Sequence, residues 1–283
     1  MNCNHRLGLH IPLKDTLTHV AQQAHNLNLR FFQTFLTKQK TKKYLVLSAK
    51  DKQAFLALRP SFTEIFIHSS YWINPGSSDK AVVYLAKKLL KKELALAHEL
   101  ETRYLVLHAG SAKGHRPTAQ DPDGKMAGIA TVAKVLNSVL KQESNVTILL
   151  ENSAHGKKTI GSNLDDFITL KELIQYPERI GFCLDTAHAF SYGYPLEPLA
   201  DFIKHIDATI GMSNIKLIHF NDTNDTLGSK LDRHAFPGSG KIGKSSLQKI
   251  LHHPLFNPIP KIIEGPAGSK TISSEFLNDI CSW

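Results

Sequence analysis

Tyr104-Leu-Val-Leu-His108 and Thr147-Ile-Leu-Leu-Glu151 are short runs of β-forming character, and each closes on a side chain able to bind a metal. Between them Met126–Lys141 repeats apolar residues at helical spacing, so the stretch predicts one strand–helix–strand unit of a parallel sheet. The same alternation runs outward in both directions. Further strands are expected at Leu7–His10, Leu29–Phe35, Ile65–His68, Ile180–Asp185, Lys216–Asn221 and Lys261–Glu264. Helices are expected at Thr18–Leu27, Ala81–Leu100, Leu164–Tyr176, Pro198–Ile210, Ser245–Leu251 and Ser273–Ile280. Eight alternations in 283 residues, with no Pro/Ser/Gly-rich linker and no close repeat, predict one α/β domain over residues 1–283, a (β/α)8 TIM barrel. A doubly wound open sheet would need a glycine-rich first turn, and Leu7-Gly8-Leu9-His10-Ile11-Pro12 does not supply one.

Composition narrows the setting. With 42% hydrophobic and 21% charged residues the chain is of ordinary globular type. Its longest apolar runs fall far short of the ~20 residues of a membrane-spanning helix. The segment Met1-Asn-Cys-Asn-His-Arg6 has no apolar core of a secretory signal. Cys3, Cys183 and Cys281 form no paired motif, so neither a disulfide framework nor a cysteine-based zinc site is expected, and an intracellular setting fits. A net charge of +9 favours a polyanionic partner, nucleic acid first. The densest basic stretches are Lys38-Gln-Lys-Thr-Lys-Lys43, in an expected loop, and Lys87, Lys88, Lys91 and Lys92, which at this spacing read mainly as a solvated helix face.

Barrels place their chemistry at the carboxyl ends of the strands. Strands three to eight end, in order, at His68, His108, Glu151, Asp185, His219 and Glu264, all imidazole or carboxylate donors. Each alone would pass for a hydrogen-bonded core residue or a surface charge, but six in register along the chain point to a metal centre. His188 lies three residues after Asp185, and Asp232 and His234, at spacing i, i+2, project from one face if their loop is extended. Nine donors exceed what one tetrahedral ion takes, so two or three ions joined by a bridging carboxylate are expected. Imidazole-rich, thiolate-free ligation favours zinc, with manganese or iron next, over magnesium. His10 could support a ligating carboxylate from the end of the first strand. His115, His155, His252 and His253 read as surface or helix-end residues.

Taken together, His68-Ser-Ser-Tyr-Trp-Ile-Asn74, His108-Ala-Gly-Ser111, Glu151-Asn-Ser-Ala154, Gly181-Phe-Cys-Leu-Asp-Thr-Ala-His-Ala-Phe190, His219-Phe-Asn-Asp222, Gly228-Ser-Lys-Leu-Asp-Arg-His234 and Gly238-Ser-Gly-Lys-Ile-Gly243 resemble the endonuclease IV family of apurinic/apyrimidinic endonucleases. The resemblance spans nearly the whole chain in order. It implies a three-zinc enzyme that cuts double-stranded DNA 5′ to an abasic site, leaving a 3′-hydroxyl. His68 and His108 would hold one ion, and Glu151 would bridge it to a second held by Asp185, His219 and Glu264. His188, Asp232 and His234 would hold the third. Glu151 would also orient or deprotonate the attacking water. Tyr71 matches the family's minor-groove tyrosine, Lys40 falls near a DNA-inserting arginine of the family, and Arg233 is placed to reach a phosphate or to pair with a ligating carboxylate. The loop Ser153–Gly161 is longer than usual, Glu264 is followed by Gly-Pro-Ala, and His68 by Ser-Ser. These departures bear on loop contacts, since none removes a ligand. A monomer acting on abasic DNA is expected, and the alternative is a divalent-metal sugar isomerase or epimerase on the same barrel.

Overall fold

A computed structural model describes residues 6–38, 43–44 (backbone), 46–142, 144–266 and 273–283. Eight parallel strands close into a barrel in chain order: β1 (Leu7–His10), β2 (Phe31–Phe35), β3 (Glu64–His68), β4 (Tyr104–His108), β5 (Thr147–Glu151), β6 (Ile180–Asp185), β7 (Ile215–His219) and β8 (Lys261–Ile263), with β8 pairing back onto β1. The predicted TIM barrel is therefore present, and β4, β5 and β6 have the expected bounds. Around it run α1 (Leu17–Asn26), α2 (Ala49–Leu58), α3 (Lys80–Glu99), α4 (Lys125–Leu140), α5 (Asp165–Leu173), α6 (Thr186–Tyr192), α7 (Leu199–Thr209), α8 (Gly243–His252) and α9 (Ser274–Cys281).

Strand parity separates two apolar layers. Phe31, Phe66, Val106, Leu149, Cys183, Leu217 and Ile262 fill the barrel interior. Their neighbours, such as Ile65, Ile67, Leu105, Leu107, Ile148 and Leu150, face outward and pack with the helices. Because side chains alternate at period two, the residue two positions beyond each interior one points inward again, one layer nearer the carboxyl end. That rule puts His68, His108, Glu151, Asp185, His219 and Glu264 on the inner face of the mouth. It adds Gln33 from β2 and His10 from β1 to the same ring. Gly8 completes the layer below, where a Cβ would meet the Phe31 carbonyl oxygen at 2.3 Å.

Two helices have no counterpart in the sequence pattern. Helix α2 buries only Phe55, so no apolar period marks it. Helix α6 is seven residues long and is started by Asp185, whose side chain accepts from the His188 amide. Helix α5 stops at Leu173, short of the expected Tyr176: Ile174 is already extended, and Tyr176, before Pro177, is out of helical conformation as well. Lys88, Lys91 and Lys92 are exposed on α3, as expected of a solvated face. No described helix is long and apolar enough to cross a membrane. Cys183 is free and buried on the inner face of β6, and Cys3 lies outside the described residues.

Candidate metal centre

Register brings the strand-end donors side by side. His108 pairs with Glu151 across β4 and β5, and Asp185 with His219 across β6 and β7. Glu151 lies at the centre and is fully buried. Its Oε2 is 3.2 Å from His68 Nε2 and 3.2 Å from His108 Nε2, while its Oε1 is 2.8 Å from His219 Nδ1. One carboxylate thus spans two donor groups. The first is His68, His108 and Glu151; the second is Glu151, Asp185, His219 and Glu264, with all ligand atoms of each group within 4.8 Å of one another. A third group joins Asp185, His188 and His234 within the same limit. Asp232 stands between its two rings, Oδ2 3.3 Å from His188 Nε2 and Oδ1 3.2 Å from His234 Nε2.

The ring orientations suit metal ligation. His68 Nδ1–H donates to the Ser69 carbonyl at 2.8 Å, and His188 Nδ1–H to the Asn152 carbonyl at 2.9 Å. His219 Nε2–H donates to Gln33 Oε1 at 2.8 Å. Each outer hydrogen bond fixes a tautomer and turns the other nitrogen toward the carboxylates. Asp185 is held as firmly: its Oδ1 accepts from the His188 amide at 2.7 Å and its Oδ2 from Asn221 Nδ2 at 2.7 Å. The Asp-Thr-Ala-His spacing is therefore a helix cap, and the Oδ2 that Asn221 holds lies 3.8 Å from His219 Nδ1 and 3.7 Å from His234 Nε2. His234 Nε2 is buried without a partner in hydrogen-bond geometry.

Burial works against charge on all these groups, and their neighbours decide the outcome. At His108 burial prevails over the attraction of Glu151 and pulls the ring down to about 4. At His68 and His188 the neighbouring carboxylates overcome burial and raise the rings above the usual histidine range, and at His219 Cys183, with Glu264 and Glu151, does the same. Burial pushes Glu151, Asp232 and Glu264 up, but adjacent imidazoles carry all three down, Glu264 to about 2. Clustered carboxylates here demand positive charge. Divalent cations on nitrogen and oxygen donors meet that demand, and His234 Nε2, buried without hydrogen-bond geometry to any partner, faces the Asp232 and Asp185 oxygens at 3.2 and 3.7 Å, so the residues fit a metal cluster.

Three supporting residues escaped the sequence pattern. Gln33 Nε2 donates to Glu264 Oε1 at 2.9 Å and to His10 Nδ1 at 2.9 Å while its oxygen holds His219. Asn152 clamps Asp185 through both backbone groups, its Oδ1 accepting from the Asp185 amide at 2.7 Å and its Nδ2 donating to the carbonyl at 3.0 Å. Asn221 bridges Asp185 and Glu264. Their signal was positional: Gln33 lies two residues past the interior Phe31, Asn152 directly follows Glu151, and Asn221 follows His219 by two. His10 reaches the ligands through Gln33, and its own Nδ1 is 3.7 Å from Glu264.

Tyr71 stands at the rim, 61% exposed, its ring centroid 5.6 Å from that of His68 and 6.4 Å from that of His108. Arg233 pairs with Asp225, not with a ligating carboxylate, so that part of the expectation is corrected; its side chain is 65% exposed. Asp225 is buried and lies two residues past the facing strand Asp222–Thr223, which brings it within reach of Arg233. Lys40 lies outside the described residues. The long Ser153–Gly161 loop ties its neighbours together: Ala112 donates to the Lys158 carbonyl at 2.8 Å, and His155 meets the Lys230 carbonyl at 3.3 Å.

Residues 21–278 match the xylose isomerase-like TIM barrel family. A protein of Thermosipho melanesiensis described as a probable endonuclease 4 is 32% identical over 272 residues, covering 94% of this chain and 93% of that protein. The crystal structure of endonuclease IV from Thermus thermophilus superposes with a TM-score of 0.83 at 25% identity, covering 98% of each chain. A D-tagatose 3-epimerase-like protein shares the fold, with a TM-score of 0.69 at 19% identity and 98% coverage of each chain. Fold alone thus leaves nuclease and sugar-active relatives together, and the sequence match separates them. The chain belongs to the xylose isomerase-like TIM barrel family and, within it, to the endonuclease IV family.

Proposed function

We propose that this protein, acting as one barrel domain, is a DNA repair nuclease that hydrolyses the phosphodiester 5′ to an abasic site in double-stranded DNA. The products are a 3′-hydroxyl and a 5′-deoxyribose phosphate, as base excision repair requires. The observation that carries this reading is the third donor group. Isomerisation of a small polyol uses one or two ions, which the first two groups around Glu151 would satisfy; His188, Asp232 and His234 are then surplus.

Three zinc ions fit the donors: one on His68, His108 and Glu151, one on Glu151, Asp185, His219 and Glu264, and one on His188, Asp232 and His234. When bound, such ions bring water to a pKa of about 7 and neutralise charge on a leaving oxygen. Glu151, charged and central, orients the attacking water and takes its proton. Gln33 and Asn152 keep the ligands in register. Tyr71 offers an exposed ring to the minor groove beside the lesion, Arg233 offers a guanidinium to a phosphate, and Lys40 is assigned a DNA contact from its place in Thr37-Lys-Gln-Lys40. An abasic sugar enters such a mouth cheaply, since no base has to be unpaired. The enzyme works as a monomer inside the cell.

The test is incision of a duplex carrying one abasic analogue, with elemental analysis of the same sample. Cleavage 5′ to the lesion with about three ions per chain is expected. Intact DNA despite a full metal complement would move the assignment to a sugar isomerase or epimerase.

A further inference from the structure

Asp222 is wholly buried behind the mouth, and none of the proposed donor groups includes it. Its carboxylate accepts from five backbone amides. Thr223 and Ile242 donate to Oδ1 at 2.8 and 2.9 Å; Gly238, Gly240 and Gly243 donate to Oδ2 at 3.1, 2.9 and 3.2 Å. A buried carboxylate is tolerated when hydrogen bonds satisfy its lone pairs, and here backbone amides do so. Four of the five come from residues 238–243, so one side chain sets the course of that whole stretch. The glycines make the approach feasible: Gly238 and Gly243 have φ of +83° and +80°, and a Cβ on Gly240 would lie 2.4 Å from Asp222 Oδ1.

The same residue anchors the segment bearing Asp232 and His234. Asp222–Thr223 pairs antiparallel with His234–Ala235, Asp222 opposite Ala235 and Thr223 opposite His234. The Arg233 carbonyl accepts from the Asn224 amide at 3.1 Å and from the Thr223 hydroxyl at 3.2 Å. Beyond Ala235 the chain runs straight into the grip of the Asp222 carboxylate. The two ends of the 222–243 loop are therefore closed through Asp222 and Thr223, while Gly228 and Lys230 tie its middle to the Phe190 and Ser191 carbonyls of α6 at 3.2 and 2.8 Å. The remaining donors stand at barrel-strand ends or on the α6 cap, where the barrel ladder positions them. Asp232 and His234 come from outside the barrel and need a lock of their own.

We infer that Asp222 is a positioning residue for the third donor group, locking the 222–243 loop so that Asp232 and His234 close on His188. This rests on the metal-centre reading above and assigns the lock that makes its third site. Asp222→Asn preserves volume but replaces one acceptor oxygen with an amide donor facing backbone donors. Metal content after dialysis against dilute chelator, measured for the parent, D222N, H234A and the double variant, tests the inference. D222N should lose about one ion per chain, as H234A does, and the double variant should lose no more. Its kcat should fall about 10- to 100-fold with KM for abasic duplex little changed. Excess zinc should restore much of that kcat in D222N but not in H234A, because the ligands of D222N are misplaced, not missing. Should D222N fail to fold, Gly240→Ala presses on the same carboxylate from the loop side, and the same single-ion loss is expected.

A full complement in either folded variant, or a proportionate loss from every site, overturns the positioning role. Metal content is read without cleavage, so the two readings fail separately. A parent that leaves abasic DNA intact while D222N still loses one ion removes the nuclease reading and keeps the lock. A parent that holds no ion overturns both.

Discussion

Glu151 faces four imidazoles with two oxygens, those of His68, His108, His219 and His188, and its role at this scale divides into holding and proton transfer. Glu151→Gln keeps shape and removes the charge. The expected outcome is an intact fold and unchanged affinity for abasic duplex, with single-turnover cleavage reduced by on the order of 10² to 10⁴; unchanged turnover would remove Glu151 from proton transfer. Gln33 makes a sharper case for residues that act through ligands. It donates to Glu264 and accepts from His219, so Gln33→Leu leaves every ligand in place but frees two of them to rotate. Chelator competition should show metal affinity weakened about 10- to 100-fold, and parent-like affinity would reduce Gln33 to packing.

At the scale of the element, parity along each strand ties the barrel interior to the mouth. Phe66 and His68, Leu149 and Glu151, Cys183 and Asp185 are pairs on one inner face, so the packing that closes the barrel also aims the donors. Helix α6 adds His188 through the Asp185 cap, one residue serving both local structure and chemistry. At the opposite end β8 begins with Lys261, fully buried, its Nζ donating to the carbonyls of Phe256 at 2.8 Å and Ile259 at 2.9 Å. Burial, with Arg6 nearby, pulls this ammonium down to about 7. An unfolded lysine titrates near 10.4, so between about 7 and 10 the unfolded chain binds a proton that the folded chain lacks. Stability should therefore rise with pH across that window, by at most about 1.4 kcal/mol per unit, and stay at its lower level below it. Lys261→Met should abolish this part of the rise in urea titrations at pH 7, 8 and 9, and parallel slopes in the two proteins would mean the lysine keeps its proton when folded.

At the scale of the whole molecule, a net charge of +9 favours a polyanionic partner, and the buried carboxylate and imidazole groups favour cations at the mouth. Binding to abasic duplex should weaken with salt, each phosphate neutralised contributing about −0.9 to the log–log slope, as fluorescence anisotropy from low to moderate salt would read. A flat response would point to a small neutral substrate. The barrel and six of its mouth donors were legible in the sequence, because strand parity and strand ends are local properties that recur at each βα unit. Asp185 and His188 were legible as a spacing and became a helix cap only in three dimensions. Arg233 shows the opposite case: its sequence neighbours are two proposed ligands, yet its partner is Asp225 across a two-stranded ribbon. By itself the sequence determined the alternation of strands and helices, the donor types and their order, since these follow from period, propensity and residue chemistry. Tertiary structure alone decided that Gln33 and Asn221 join ligands from different strands, that Asn152 clamps Asp185, and that Asp222 gathers five amides from its own loop. Each of those contacts depends on closing the barrel and folding the loop back, which brings together groups that no local spacing relates.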